Sequence, residues 1–152
     1  MNAPSAPALT QGRKKTLQAV VARILPGTDG PGAVKTDVAV SVERAVVHPA
    51  LRGLRPGIER VLDQLDAVAY ERYGTVFCAR ASDEQDELLR ALERDADAGS
   101  RFLLRSLIGF SLEGLLGDPV HGGNRDFLGW KAIGLRAADV RSGLCRGERE
   151  GR

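Results

Sequence analysis

The stretch from Arg101 to Leu116, RFLLRSLIGFSLEGLL, constrains the fold more than any other part of the chain. Wound as a helix, it places Phe102, Leu103, Leu104, Leu107, Ile108, Phe110, Leu112, Leu115 and Leu116 around most of its circumference. A helix that is apolar nearly all round is buried, either at the centre of a domain or between a domain and a partner. Other helices must therefore surround it. Ser100 stands where its N-cap belongs, and Gly117 where it stops. Gly109 and Gly114 allow another backbone to come close, at a cost in helix propensity.

The rest of the chain supplies the surrounding helices. Thr10 caps a helix to Leu25, with Leu17, Val20, Val21 and Ile24 at helical spacing and Pro26 beyond its end. The glycines of the loop PGTDGPG, residues 26–32, do not match a nucleotide fingerprint. A second helix spans Asp37 to Val47, with Val38, Val42, Ala45 and Val46 on one face. A third spans Pro56 to Tyr73, striped by Ile58, Val61, Leu62, Leu65 and Val68, and Gly74 ends it. SDEQ, Ser82 to Gln85, reads as a capping box opening a fourth helix to Arg94. That helix turns Leu88, Leu89 and Leu92 inward and shows water an acidic face of Asp83, Glu84, Asp86, Glu87 and Glu93.

No run of alternating apolar and polar residues is long enough for a strand. The expected fold is all-α, about five helices in one domain, with a long irregular Gly-rich segment after the last long helix. The chain divides into a flexible N-terminus at 1–9, the helical domain at 10–136 and a tail at 137–152. At 152 residues, one such domain can bury a core without staples. A net charge of +2 gives no electrostatic footprint for nucleic acid. No apolar run approaches the ~20 residues of a direct membrane span. No export signal is legible, which points to the cytoplasm. Cys78 and Cys145 are too few and too far apart for a disulfide framework.

Chemistry does not converge anywhere obvious. His48 and His121 are the only imidazoles, and neither forms a zinc pattern with the cysteines. His48 reads as a polar residue at a helix end, and Cys78 as a small apolar one beside Phe77. GFSLEG, residues 109–114, misses the spacing of a nucleophile elbow and lies inside a helix, so Ser111 is expected to bond back to its own backbone. Arg13, Lys14 and Lys15 lack phosphate-loop spacing and read as an exposed basic turn. Glu113 lies among apolar residues, so burial would demand a partner, with Arg125 or Lys131 the candidates. A stand-alone enzyme would have to gather Glu113, Arg125 and His121 in one pocket.

The segment GDPVHGGNRDFLGWKAIG, Gly117 to Gly134, is the most unusual. Asp118-Pro119 begins a turn, and Gly122-Gly123 permits positive φ and a reversal. Phe127, Leu128, Trp130 and Ile133 then place large apolar groups on a short scaffold. Such a loop is ordered only if Trp130 is buried with its indole N–H satisfied, against the domain's own helix or against a partner.

From Leu112 to Gly134 the residues closely resemble the end of the gluconate 2-dehydrogenase subunit 3 family. The likeness rests on Glu113, Gly114, Asp118, Pro119, Gly122, Gly123, Asn124, Gly129, Trp130 and Gly134. Earlier parts resemble that family too: LQAVVARILPGTDGPGA in its opening, and AYERYGTVFCARASDEQDELL in its middle. Together they cover roughly residues 10–136. The resemblance implies a non-catalytic small subunit. Its partner would be a large flavin-dependent sugar or polyol dehydrogenase of the glucose–methanol–choline type, often with a cytochrome subunit. FAD and the catalytic histidine would belong to the large chain, and no cofactor to this one.

Small subunits of this kind support folding, stability and, in many members, export on a twin-arginine signal. This chain departs from the pattern by showing no such signal and by carrying His121 where the motif usually has tyrosine. A periplasmic complex, exported with a partner, is the alternative to the cytoplasm. On this reading Arg125, Phe127, Trp130, Lys131 and His121 are expected to meet the partner, while Asn124 and the motif's glycines shape the loop. A self-associating helical protein is the remaining alternative, its surplus apolar surface closing a homodimer.

Overall fold

A computed structural model describes residues 8–27, 30, 32–136 and 138. Every regular element among them is helical. The α-helices are α1 (Gln11–Ile24), α2 (Ala33–Thr36), α3 (Val38–Val47), α4 (Arg55–Tyr73), α5 (Ser82–Asp95), α6 (Ala98–Leu116) and α7 (Leu128–Ala132). Short 3-10 turns at Pro49–Leu51, Phe77–Ala79, Pro119–His121 and Arg125–Phe127 join or precede them. The expected all-α class holds, with α2 and α7 as single-turn additions to the five long helices. Most of the expected N-terminal and C-terminal extensions, and Cys145, lie outside the described residues.

Helix α6 is the hub, touching α1, α3, α4, α5 and α7. Its inner face, Leu104, Leu107 and Ser111, meets Val38, Val42 and Val46 of α3, and Ile58, Val61, Leu62 and Leu65 of α4 in one core. Leu17, Val20 and Val21 of α1, Leu88 of α5 and Phe77 complete it. Each fully buried Val or Leu contributes about 1.5–3 kcal/mol against leaving it in water. Ser111 is buried and donates its hydroxyl to the Leu107 carbonyl at 2.7 Å, as its mid-helix position leads one to expect.

Helix α6 departs from its sequence pattern in two respects. The helix is not covered all round, because Phe102 is 57% and Leu112 46% exposed, with Ile108 and Leu116 also open. Nine apolar positions outnumber what the neighbouring helices can cover. Its cap is Asp97, not Ser100. The Asp97 carboxylate accepts from the Ser100 amide at 3.0 Å and its hydroxyl at 2.7 Å. Those bonds, the hydroxyl's first, hold the Asp97 carboxyl below the usual range.

The cap of α5 also shifts. Ala81 occupies the N-cap position, and Glu84 reaches back to accept its amide at 3.1 Å. Gln85 is thereby turned inward, where its side-chain amide donates to the Phe77 carbonyl at 3.1 Å. The acidic face of α5 is not merely solvated. Asp86 takes a two-pronged bond from Arg23 of α1 at 2.7 and 2.9 Å, Glu84 pairs with Arg80, and Glu87 with Arg72.

Likewise, the basic residues near the N-terminus form no loose turn. Arg13 grips Asp63 through two bonds and Glu59 through a third, and Lys14 pairs with Glu43. Asp66 accepts from the buried Thr16 hydroxyl and from the Phe77 amide, tying α1, α4 and the Phe77 turn at one carboxylate. These ties fix α1 against α3, α4 and α5, and α6 packs on α3 and α4 within that frame, which sets the position of everything after Leu116.

Candidate functional site

A helix that ends in Leu116 leaves its last carbonyls without intrahelical donors. The segment that follows is folded back to satisfy them. Asn124, fully buried, donates its side-chain amide to the Gly117 carbonyl at 2.8 Å and accepts from the Gly129 amide at 2.8 Å. Trp130, 6% exposed, donates its indole N–H to the Leu116 carbonyl at 2.6 Å. Phe127 stacks beside it with ring centres 5.3 Å apart. One amide side chain and one indole thus close the end of α6.

The motif's glycines are explained by the closeness of this return. A Cβ at Gly123 would strike the Gly114 carbonyl, and one at Gly129 the Leu115 carbonyl. Both obstacles are backbone and cannot move aside. Gly114 itself seats α6 on Val38 and Ser41 of α3. Gly122 turns with φ +97°, as a reversal there requires. Asn124, Asp126 and Phe127 also take left-handed backbone conformations. For a phenylalanine that is uncommon, and such strain persists where surrounding structure imposes it.

Asp118 starts the Pro119–His121 turn by accepting the Val120 amide at 3.0 Å. Gly134 closes α7 with φ +79°. Arg125 pairs with Asp37, which itself bends left-handed between α2 and α3. The far end of the elbow is thereby pinned to the α2–α3 corner.

Beside the elbow, α3 and α6 part to form an open groove of about 720 Å³. Glu113, Asp118 and His121 line one wall, and Arg44 of α3 with His48 just past its end the other. The structure so brings Glu113 and His121 together but leaves Arg125 outside, at Asp37. The three-residue pocket of a stand-alone enzyme is therefore not assembled. Glu113 is exposed and makes no ion pair among the described residues, contrary to the buried pair expected with Arg125 or Lys131. It lies where the apolar ring of α6 opens to water, so it needs no cation. Lys131 and His121 are exposed, and Phe127 is half-buried.

Sequence reasoning missed Arg44 and His48 as groove residues. Ser41, Arg44, Ala45 and His48 recur at helical spacing on α3, but nothing local says that this face meets the end of α6. His48 is exposed at the helix end, and its Nδ1 accepts the Ala50 amide at 3.2 Å. Cys78 is half-buried and unpaired.

The chain is thus a single all-α domain whose final segment, residues 117–134, is folded back as an elbow onto its own central helix, with apolar residues left facing out. The model of the gluconate 2-dehydrogenase subunit 3 family matches residues 11–136, and the chain belongs to that family. Comparison with curated proteins and with solved structures finds no match. No helix among the described residues is long and apolar enough to cross a membrane.

Proposed function

We propose that this chain is a non-catalytic small subunit that binds, stabilises and helps assemble a large flavin-dependent dehydrogenase. The partner would be of the glucose–methanol–choline type and act on a sugar or polyol, with a cytochrome as a further subunit in some assemblies. One observation carries the reading: the most distinctive polar side chains of the family motif face inward. Asn124 and Trp130 are buried and bonded to main-chain groups at the end of α6, so they are turned away from any substrate in solution.

What the molecule turns outward is apolar. Phe102, Leu112 and Leu116 on α6, Val120 at 74% exposure, and Ile133 beyond α7 lie open. Exposed surface of this kind is ordinarily covered by another protein. The family's name supports a multi-subunit dehydrogenase, since a subunit 3 implies others. FAD belongs to the large chain in this reading. A dinucleotide cradle of strand, glycine loop and helix is not built among the described residues, which contain no strand.

Phe127 would join the apolar centre of the contact, and His121, Arg125 and Lys131 its polar rim. Trp130 acts one step removed, by holding the elbow in the shape that a partner meets. The test is affinity purification of this chain co-expressed with the flavoprotein of its native host. A stable complex in which flavin absorbance tracks the large chain supports the reading. Failure of the two to associate, or flavin retained by this chain alone, contradicts it.

A further inference from the structure

We infer that the outward face of α6 seats an amphipathic helix of the partner subunit, one that crosses at Gly109 and sets carboxylates against Arg101 and Arg105. This rests on the small-subunit reading above and goes further by naming the surface and the chemistry of what covers it.

Helical spacing puts Arg101, Arg105, Ile108, Leu112 and Leu116 on one side of α6. That side is open: Arg105, Ile108, Leu112 and Leu116 are exposed, and Arg101 is half-buried. The strip from Arg101 to Leu116 is about 22 Å long at 1.5 Å per residue, enough for a facing helix of about four turns.

Gly109 lies along this strip. A glycine inside a helix is destabilising relative to alanine, so it usually has a packing reason. Gly114 has one in Val38 and Ser41, and Gly57 of α4 has one in Leu103. Gly109 has none among the described residues, since a Cβ there would meet nothing within 4 Å. The notch it leaves is half-open, beside the exposed Ile108 and Leu112 and one turn from the exposed Arg105 and Glu113. A small residue at such a place lets a second helix approach closely, its own small residue opposite.

The two arginines fix the charge of the occupant. Spaced four residues apart on one face, the two like charges repel each other, and the one carboxylate at that end of the helix, Asp97, is engaged in capping through Ser100. Neither guanidinium meets a carboxylate among the described residues. Unpaired beside an open apolar strip, they are placed to meet acid from outside. The occupant is therefore acidic where it passes Arg101 and Arg105, and apolar where it passes Ile108, Leu112 and Leu116.

The experiment measures the affinity of the full-length chain for the purified large subunit. Gly109→Leu should raise Kd at least tenfold while leaving the melting temperature of the lone chain unchanged or higher. Arg105→Glu should raise Kd about tenfold, whereas Arg60→Glu, on exposed α4 surface, should alter it less than twofold. Hydrogen exchange across residues 101–116 should slow in the complex. Binding that ignores both Gly109→Leu and Arg105→Glu, in variants shown to be folded, overturns this inference and leaves the small-subunit reading standing. A lone chain that sediments as a dimer, dissociated by Gly109→Leu, also overturns it by making a second copy the occupant. No binding by the unaltered chain overturns both.

Discussion

Trp130 donates its indole N–H to the main-chain carbonyl of Leu116 at 2.6 Å, across the turn that separates α7 from the end of α6. The bond accounts for the motif's tryptophan without a substrate: it completes a helix end. Trp130→Phe keeps most of the packing and removes the donor, and should cost about 1–2 kcal/mol. Trp130→Ala also empties the site and should cost about 3–5 kcal/mol. Denaturant unfolding of the two variants should rank them in that order. In the complex, Trp130→Ala should weaken binding by at least ~2 kcal/mol, because the loop it holds is the loop presented.

Asn124 joins the Gly117 carbonyl to the Gly129 amide, and alanine would leave both without their partner. Each buried group so stranded costs about 1–3 kcal/mol. Alanine must also adopt the left-handed φ of +50° that asparagine tolerates better. Asn124→Ala should therefore loosen residues 117–134 while α1 to α5 persist. Limited proteolysis should cut the elbow first, with far-ultraviolet dichroism largely retained. Loss of all helical signal at once would show that the elbow and core fold as one unit.

The ties between α1 and its neighbours predict how the fold responds to acid. The Arg13 guanidinium bonded to Asp63, and the Arg23 guanidinium bonded to Asp86, hold both carboxyls below the usual range. In the unfolded chain those carboxyls titrate near pH 3.9, by reference values of about that size. The stability they supply is present in full above that pH and is lost as pH falls through the lowered native values. Arg23→Met should lower stability at pH 7, and its difference from the unaltered chain should shrink below about pH 4. A difference that stays constant down to pH 2 would contradict this assignment.

Arg125 and Asp37 form a pair with an exposed guanidinium, so its contribution to stability should be no more than about 1 kcal/mol. Arg125→Ala should leave the melting temperature within a few degrees of the unaltered chain. If Arg125 sits at the rim of a partner contact, its removal should instead slow association and weaken the salt dependence of binding. Association kinetics at two ionic strengths separate the two effects.

Much of the fold was legible in local pattern. The stripe of Ile58, Val61, Leu62 and Leu65 marked α4, and Gly74 ended it with φ +72° as the sequence led one to expect. Thr10 capped α1 by accepting the Arg13 amide. Cap identity at α5 and α6 is not local: Glu84 closes α5 from inside, one residue before the expected start, and Asp97 caps α6 three residues before Ser100, through bonds that only the folded turn reveals. Glu113 was misplaced for a different reason. Apolar residues all around a helix do not say which side the neighbours leave open, and that depends on packing between α3, α4 and α6. The motif itself was visible as glycines, Asn124 and Trp130, but its carbonyl partners at Leu116 and Gly117 are set by geometry. Arg44 and His48 became groove residues only when α3 was laid beside the end of α6.

Isolating the complex from cells expressing this chain with its flavoprotein, and quantifying flavin in each separated subunit, decides whether this chain is a cofactor-free companion. The account predicts FAD in the large chain at one per copy, none in this chain, and turnover only from preparations containing the large chain. Stoichiometric flavin, haem or metal retained by this chain, or substrate turnover by it alone, would contradict the account.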